Sequence, residues 1–325
     1  MNVTICLEKY SDWLEAYSIF RFWEKIDEVT ILYIENERNN KIAVETLFAE
    51  FKKNHNFKYK SFKNREDFFT GIAGNLCEQV AGDILAAPFI RYRKIWKIVP
   101  KARKKGIITV HLSESLPDSF GRLGYRLGYR LGFRLVNGLS LKGLLKQFIS
   151  LPLMYVYAVT HKPDYCFYNM FPAVKNKFVK KTLRAYLPSV ESKKDYVKGL
   201  TGEEKRPLLI GGFGYDVIMM SQYLGLSKYI ATSKNKEIII DGKTYPLDRY
   251  ICAEEVMLSG CTDAIIGYNS TAICWAILMG SINIDCYESN ELNNQYGFLF
   301  GKLSRKTLKK CGVDLKSECT QMIKK

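Results

Sequence analysis

Two acids follow a predicted strand in the stretch His111 to Arg122, HLSESLPDSFGR. Residues 107–112 form an apolar, β-branched run that predicts a buried strand, and in an open parallel sheet the loop after such a strand lies at the ligand-binding end. A carboxylate in a partly desolvated cleft can take a proton from a hydroxyl group. Glu114 and Asp118 are therefore candidate general bases, and Glu114 is favoured because it is nearer to the strand end. The alternative is that Ser113 or Asp118 only caps a following helix.

A short polar turn, YNST, lies between a predicted strand (263–267) and an apolar helix that runs to Met279. The free N–H groups and partial positive charge at the start of a helix suit a phosphate group. Asn269, Ser270 and Thr271 are the candidates to bind it. The alternative is that Ser270 is only the N-cap of the helix.

A glycine-rich turn, GGFGYD, follows another predicted strand, 207–210. Glycines let backbone N–H groups approach an anion, and a helix is predicted after the turn. Gly211, Gly212 and Gly214 are therefore further candidates for anion binding. Glycine turns are common, so this pattern alone is weak.

A four-residue repeat, Arg-Leu-Gly-Tyr/Phe, fills residues 121–138. On a helix, a period of four aligns each residue type in a slowly twisting row. The arginine row contains Arg122, Arg126, Arg130 and Arg134. One interpretation is an interfacial helix whose arginines meet lipid phosphates and whose aromatic and leucine side chains enter the headgroup zone. The other is a packed helix with a solvated or paired arginine face.

The composition favours a globular protein that meets anionic partners. The 325 residues are 47% hydrophobic and 25% charged, with a net charge of +16, which is typical of proteins that meet nucleic acid, anionic lipid or a nucleotide-linked substrate. No nucleic-acid-binding module accompanies the charge, so we expect no nucleic-acid partner. The arginine repeat makes an anionic membrane surface an expected partner.

The cysteines and the lengths of the apolar runs further limit the class of protein and its cellular compartment. The nine cysteines are scattered without a CxxC or Cys/His cluster, so we expect reduced thiols, a cytoplasmic location and no metal site. The start of the chain shows no signal-peptide pattern. No apolar run reaches the ~18 residues of a membrane helix.

Strand and helix patterns alternate along the chain, which indicates parallel sheets covered on both faces. Predicted helices include 68–85 and a basic helix over 302–325 with a break at Gly312. Residues 173–206 are expected to be connecting helices and linker. We therefore expect an α/β fold divided into 1–195, 196–300 and the basic tail 301–325.

Three motifs stand together in the stretch 250–287: EE at 254–255, AIIG at 264–267 and NSTA at 269–272. Their layout resembles the donor-nucleotide half of bacterial sialyltransferases and polysialyltransferases, most strongly over 205–290, and is similar to that of CDP-glycerol polymerases. The resemblance implies a GT-B-like architecture with two Rossmann-like domains facing across a cleft, and a CMP-sialic acid donor. It also implies that Glu254 meets donor hydroxyls or the cytosine.

Two departures from the resembled sialyltransferases concern the catalytic groups. Their base belongs to an acidic pair followed by glycine, whereas the acids here are separated. A histidine of their His-Pro pair supports the leaving CMP phosphate, and Tyr245-Pro246 stands at that place here. Tyrosine has no positive charge at neutral pH, so either Tyr245 shares this support with Lys243 or Arg249, or the enzyme is inactive. The alternative is that Asp241-Gly242 forms a tight turn and Tyr245 only packs.

The combined expectation is an inverting, metal-independent glycosyltransferase that needs no cofactor. Its substrates would be a nucleotide-sugar donor and a glycan or glycolipid acceptor of a bacterial capsule or lipooligosaccharide. It would act on the inner face of the cell membrane as a peripheral protein. Two alternatives remain: a transferase with CMP-Kdo or a CDP-polyol as donor, and a non-catalytic membrane-associated protein that keeps the GT-B fold.

Overall fold

Two parallel β-sheets organise the computed structural model of the protein. It describes residues 1–9, 12–36, 39–73, 82–89, 97–112, 156, 159–168, 178–210, 228–231, 237–240, 243–246, 252–267, 272–288 and 315–317. Within these ranges the strands and helices alternate, so the predicted α/β class with parallel sheets is confirmed.

The first sheet contains seven parallel strands in the described residues, in the order β3-β2-β1-β4-β5-β6-β7. The strands are β1 (Asn2–Leu7), β2 (Glu28–Ile34), β3 (Asn56–Phe62), β4 (Ile84–Ala87), β5 (Ile108–His111), β6 (Tyr165–Tyr168) and β7 (Lys181–Arg184). Its first six strands follow the 3-2-1-4-5-6 order of dinucleotide-binding folds, which places a ligand crevice where the order reverses, between β1 and β4.

Helices cover both faces of this sheet. They are α1 (Asp12–Phe22), α2 (Lys41–Leu47), α3 (Arg65–Ala73) and α4 (Ile98–Lys104). In β1, Val3, Ile5 and Leu7 pack towards α1 and α2, whereas Cys6 packs towards α3 and α4. Because both faces are buried, the strand reads as a continuous apolar run rather than an alternating one.

The second sheet contains five parallel strands in the described residues, in the order β14-β13-β12-β8-β9. An antiparallel pair, β10–β11, stands outside it. The strands of this half are β8 (Leu208–Ile210), β9 (Ile230–Ala231), β10 (Glu237–Ile240), β11 (Lys243–Pro246), β12 (Ala264–Gly267), β13 (Asn283–Glu288) and β14 (Leu315–Ser317). The helices are α5 (Lys194–Thr201), α6 (Ala253–Leu258) and α7 (Ala272–Met279).

Three sequence predictions about elements are corrected. The predicted helix 68–85 is wrong at its end, because Ile84 and Leu85 belong to strand β4. The short apolar run ILAA suits a buried strand as well as a helix, so the pattern alone did not separate the two. Residues 173–206, which were expected to be connecting helices and linker, contain strand β7. Leu315–Ser317, inside the predicted basic helix 302–325, form β14 next to β13, and the rest of that tail lies outside the described residues. None of the described helices is long and apolar enough to cross a membrane.

Asp164 ties the last strands of the first sheet together. Its Oδ2 atom accepts hydrogen bonds from the Thr109 N–H (3.0 Å) and hydroxyl (2.7 Å), and its Oδ1 atom accepts one from Lys180 Nζ (2.6 Å). Burial raises the pKa of this carboxyl, but the hydrogen bonds from Lys180 and Thr109 outweigh burial, so the pKa lies below its ordinary value of 3.8. The ionised carboxylate therefore stabilises the folded chain.

We expect Asp164→Asn to lower the unfolding temperature at neutral pH, because the amide loses the charge-assisted bonds. Since the native pKa is lowered, the stabilisation is fully present above the ordinary value and is lost as the pH falls through the native one. Melting curves between about pH 3 and pH 7 should therefore show the two proteins converging below about pH 4. The exposed Asp263→Asn serves as control. A difference that stays constant across this range would contradict the assignment.

Candidate functional site

The two candidate phosphate-binding turns leave neighbouring strands at the same edge of the second sheet. Ile210, the last residue of β8, pairs in register with Gly267, the last residue of β12. Counted within this sheet, the strand order is 2-1-3-4-5, so β8 and β12 flank the point where the order reverses. In such sheets ligands bind outside the carboxyl ends of the strands at that point.

The segments that start there are the two motifs singled out above. GGFGYD begins at residue 211, directly after β8, and YNST occupies 268–271, between β12 and α7. Gly211, Gly212, Gly214, Asn269, Ser270 and Thr271 themselves lie outside the described residues. The topology therefore brings together the ends of the two strands that precede these motifs, and the roles of the motif residues remain predictions.

Helix α7, which follows YNST in the sequence, is part of the hydrophobic core. Ala272, Ile273, Trp275 and Ala276 are all at most 2% exposed. Packing of this kind fixes the direction in which the first turn of the helix points. The predicted helix over this stretch is confirmed.

Helix α6 carries the two adjacent acids of the EE motif. The Glu255 side chain is fully buried and accepts hydrogen bonds from Lys193 Nζ (2.9 Å) and from the backbone N–H of Cys252 (2.9 Å). Glu254, the residue expected to meet the donor, is 6% exposed, so contact with a donor requires an enclosed site. Glu255, which the sequence interpretation left without a role, has a structural one.

The thiol at the start of α6 is not activated. Burial raises the pKa of Cys252 well above its ordinary value, and the Glu255 and Glu254 carboxylates raise it further. A neutral buried thiol is neither a nucleophile nor a metal ligand. Within the described residues no group of three or more His, Cys, Asp or Glu side chains is arranged to hold a metal ion.

Lys243 and Tyr245 lie in the β10–β11 hairpin rather than in the parallel sheet. Lys243 pairs with Ile240 and Tyr245 pairs with Ile238, which leaves residues 241 and 242 to connect the two strands. The interpretation of Asp241-Gly242 as a tight turn agrees with this register. The structure does not describe where the Lys243 and Tyr245 side chains point, so their catalytic support role is still a prediction.

The candidate bases follow β5 at the carboxyl edge of the first sheet. The N–H of Leu112 donates to the Ala87 carbonyl (3.0 Å), which continues the β4–β5 pairing to the edge. Glu114 follows Leu112 by two residues. Glu114 and Asp118 lie outside the described residues, as do Arg122, Arg126, Arg130 and Arg134 of the repeat.

An ion pair that the sequence interpretation missed lies beside the reversal point of the first sheet. Glu8 follows β1 directly, its side chain is fully buried, and its Oε1 atom contacts Arg65 Nη2 at 2.8 Å. The Arg65 side chain is 59% exposed and thus presents a positive charge at this edge. An acid directly after a buried first strand was the available signal, but its partner is distant in sequence.

Comparison with known proteins adds little to this geometry. No protein-family model matches the chain, and no curated protein matches it. A solved structure of a UGT transferase from Siraitia grosvenorii in complex with UDP is similar over 88% of this chain and 81% of its own, at 10% identity and a TM-score of 0.47. At that identity and TM-score the similarity supports no statement about activity or donor.

Proposed function

We propose that the protein is an inverting, metal-independent glycosyltransferase of GT-B type that uses CMP-sialic acid and extends a bacterial capsule or lipooligosaccharide. The observation that carries the proposal is the pairing of Ile210 with Gly267. The strands that precede the two motifs predicted to bind anions thus end side by side, at the point where doubly wound sheets bind ligands. The choice of a cytidine donor rests on the resemblance of the stretch 250–287 to bacterial sialyltransferases.

In the proposed reaction Glu114, or alternatively Asp118, accepts the proton of the acceptor hydroxyl group. The acceptor oxygen attacks the anomeric carbon while the bond from that carbon to the phosphate oxygen breaks, which inverts the configuration. CMP leaves with the electron pair of that bond. The N–H groups at the start of α7, with Ser270 and the GGFGYD backbone, stabilise the phosphate charge.

In this proposal, the net charge of the protein and its location at the membrane surface suit an anionic acceptor. The net charge of +16 raises the local concentration of an anionic glycan or glycolipid near the protein. The arginine repeat would hold the enzyme on the cytoplasmic face of the membrane. The acceptor would then be elongated where lipid-linked glycans are assembled.

Calorimetric titration with CMP, CDP and UDP tests the donor class directly. We expect CMP to bind, and Ser270→Ala to weaken its binding about 10- to 100-fold, because a hydrogen bond to a charged phosphate is lost. Ser281→Ala is the matched control, since Ser281 is exposed and lies just beyond the other end of α7. Release of CMP from CMP-sialic acid in the presence of a sialylated acceptor would then show turnover.

Each other outcome of this titration has a defined meaning. Preference for CDP would favour the CDP-polyol alternative, and CMP binding without turnover of CMP-sialic acid would favour CMP-Kdo. Preference for UDP would contradict the cytidine assignment. Binding of none of the three nucleotides would favour the non-catalytic alternative.

A further inference from the structure

An open groove lies between α1, the end of β7 and α7. It is lined in part by Arg21, Phe22, Arg184, Tyr186 and Leu278 and has a cavity volume of about 600 Å³. Tyr186 is anchored there because its backbone N–H donates to Ser18 Oγ at 2.9 Å. We refer to this feature as the α1–β7 groove.

Large apolar side chains that are partly exposed to solvent line the groove. Phe22 is 38% exposed, and Tyr186 and Leu187 are each 43% exposed. All three line the groove. A cluster of exposed apolar side chains marks an interaction surface more often than isolated exposed residues do.

An aromatic cluster supports the groove from beneath. The Phe22 ring lies 4.6 Å from the Trp23 ring in an edge-on arrangement and 5.8 Å from the Phe167 ring. Trp23 also contacts Tyr165, with ring centroids 5.5 Å apart. Such packing holds Phe22 in place while part of its ring faces solvent.

Positive charge borders the apolar surface. Arg21 and Arg184 line the groove itself, and Lys181 lies 5.9 Å above the Tyr165 ring. Aromatic side chains with arginine and lysine at their border match the headgroup zone of a bilayer, where apolar rings enter the interface and cations meet lipid phosphates.

We propose that the α1–β7 groove is a membrane-contact surface that binds anionic phospholipid bilayers. Phe22, Tyr186 and Leu187 enter the headgroup region, and Arg21 and Arg184 contact lipid phosphates. A second copy of the chain is a poorer occupant, because two chains of net charge +16 repel each other. None of the residues that line this surface belongs to the arginine repeat 121–138.

The groove does not compete with the proposed nucleotide site. Leu278 belongs to the last turn of α7, whereas the predicted phosphate-binding residues precede its first residue, Ala272. Leu278 follows Ala272 by six residues of α7, which is about 9 Å along the helix. Loss of membrane binding and loss of nucleotide binding can therefore be measured independently.

Flotation with vesicles of phosphatidylcholine, with and without phosphatidylglycerol, tests the proposal on the full chain. We expect the protein to float with the anionic vesicles. Two double variants, Phe22→Ser/Leu187→Ser and Arg21→Gln/Arg184→Gln, should each lower the partition coefficient roughly tenfold. Both should keep their affinity for CMP, and the arginine variant should also keep its thermal stability.

Matched controls carry the same chemical changes elsewhere on the surface. Ile42→Ser/Leu200→Ser removes two exposed apolar side chains, and Lys104→Gln/Lys205→Gln removes two exposed charges. Both controls should float like the wild type. If control and groove variants lose binding equally, only net composition matters and the proposal is overturned.

Quenching of tryptophan fluorescence by brominated lipids locates the contact. Trp23 packs against Phe22, so vesicle binding should quench its emission, and Trp23→Phe should remove that part of the quenching. Unchanged quenching in Trp23→Phe, or wild-type flotation of both groove variants, would refute the groove and leave the repeat 121–138 as the contact. A vesicle-free dimer that Phe22→Ser/Leu187→Ser dissociates, without loss of flotation, would equally overturn the proposal.

Discussion

Glu114→Gln is expected to lower the rate of sugar transfer by about 10²- to 10⁴-fold, the usual contribution of a general base. The amide keeps the size of the carboxylate but cannot accept the proton of the acceptor hydroxyl group. Binding of CMP should be unchanged, because the proposed phosphate contacts come from the second sheet. A rate assay with CMP-sialic acid and a titration with CMP measure the two effects separately.

Asp118→Asn decides between the two candidate bases. If Glu114 is the base, Asp118→Asn should reduce the rate by less than about tenfold, through loss of a helix cap at most. The exposed Glu203→Gln is a control for the change of charge. Retained turnover in Glu114→Gln together with a large loss in Asp118→Asn would move the assignment to Asp118, and retained turnover in both would remove it from this loop.

Buried strands of ordinary length could be predicted from the sequence because their signal is local. β5 (ITVH) and β12 (AIIG) lie in apolar runs, and the apolar helix α7 follows the polar segment YNST in the sequence. Each pattern is produced by burial on both sides of the element itself. These elements lie within about two residues of where they were predicted.

Other strands depend on partners that a local pattern does not contain. β7 (KTLR) is an edge strand with two basic residues, and β14 (LKS) has three residues and exists through its pairing with β13. β4 (ILAA) lies between β1 and β5, and four apolar residues fit a helix equally well. In each case tertiary pairing decides the conformation.

The candidate site also has a part that local sequence patterns predict and a part that depends on tertiary structure. Anion binding by GGFGYD and YNST is predicted from the residue types, because glycines and helix starts expose N–H groups, and it stays a prediction. That the strands before the two segments end side by side could be known only from the strand order of the second sheet. The Glu8–Arg65 and Lys193–Glu255 pairs were not visible, because each joins residues far apart in sequence.

The Lys193–Glu255 pair joins the segment after β7 to the start of α6. The two side chains are 12% and 0% exposed, and Lys193 Nζ lies 2.9 Å from Glu255 Oε1. The other oxygen of Glu255 accepts the Cys252 N–H and so caps α6. Glu255 therefore cannot leave its buried position without also freeing the backbone at the start of the helix.

We expect Lys193→Met to destabilise the protein by about 3–5 kcal/mol, because it leaves a buried carboxylate without its cation. Denaturant unfolding of the wild type and the variant measures the difference. Lys228→Met is a sharp control: Lys228 Nζ also lies 2.9 Å from a carboxylate, Glu204, but the two side chains are 64% and 71% exposed. An exposed pair of that kind contributes at most about 1 kcal/mol.

The double variant Lys193→Met/Glu255→Gln separates loss of the pair from loss of packing. With the carboxylate replaced by a neutral amide that can still accept the Cys252 N–H, the double variant should be more stable than Lys193→Met alone. The sign of that difference is the decisive observation. If Glu255→Gln adds to the destabilisation instead, the uncompensated charge is not its source, and the Lys193 side chain acts through its packing.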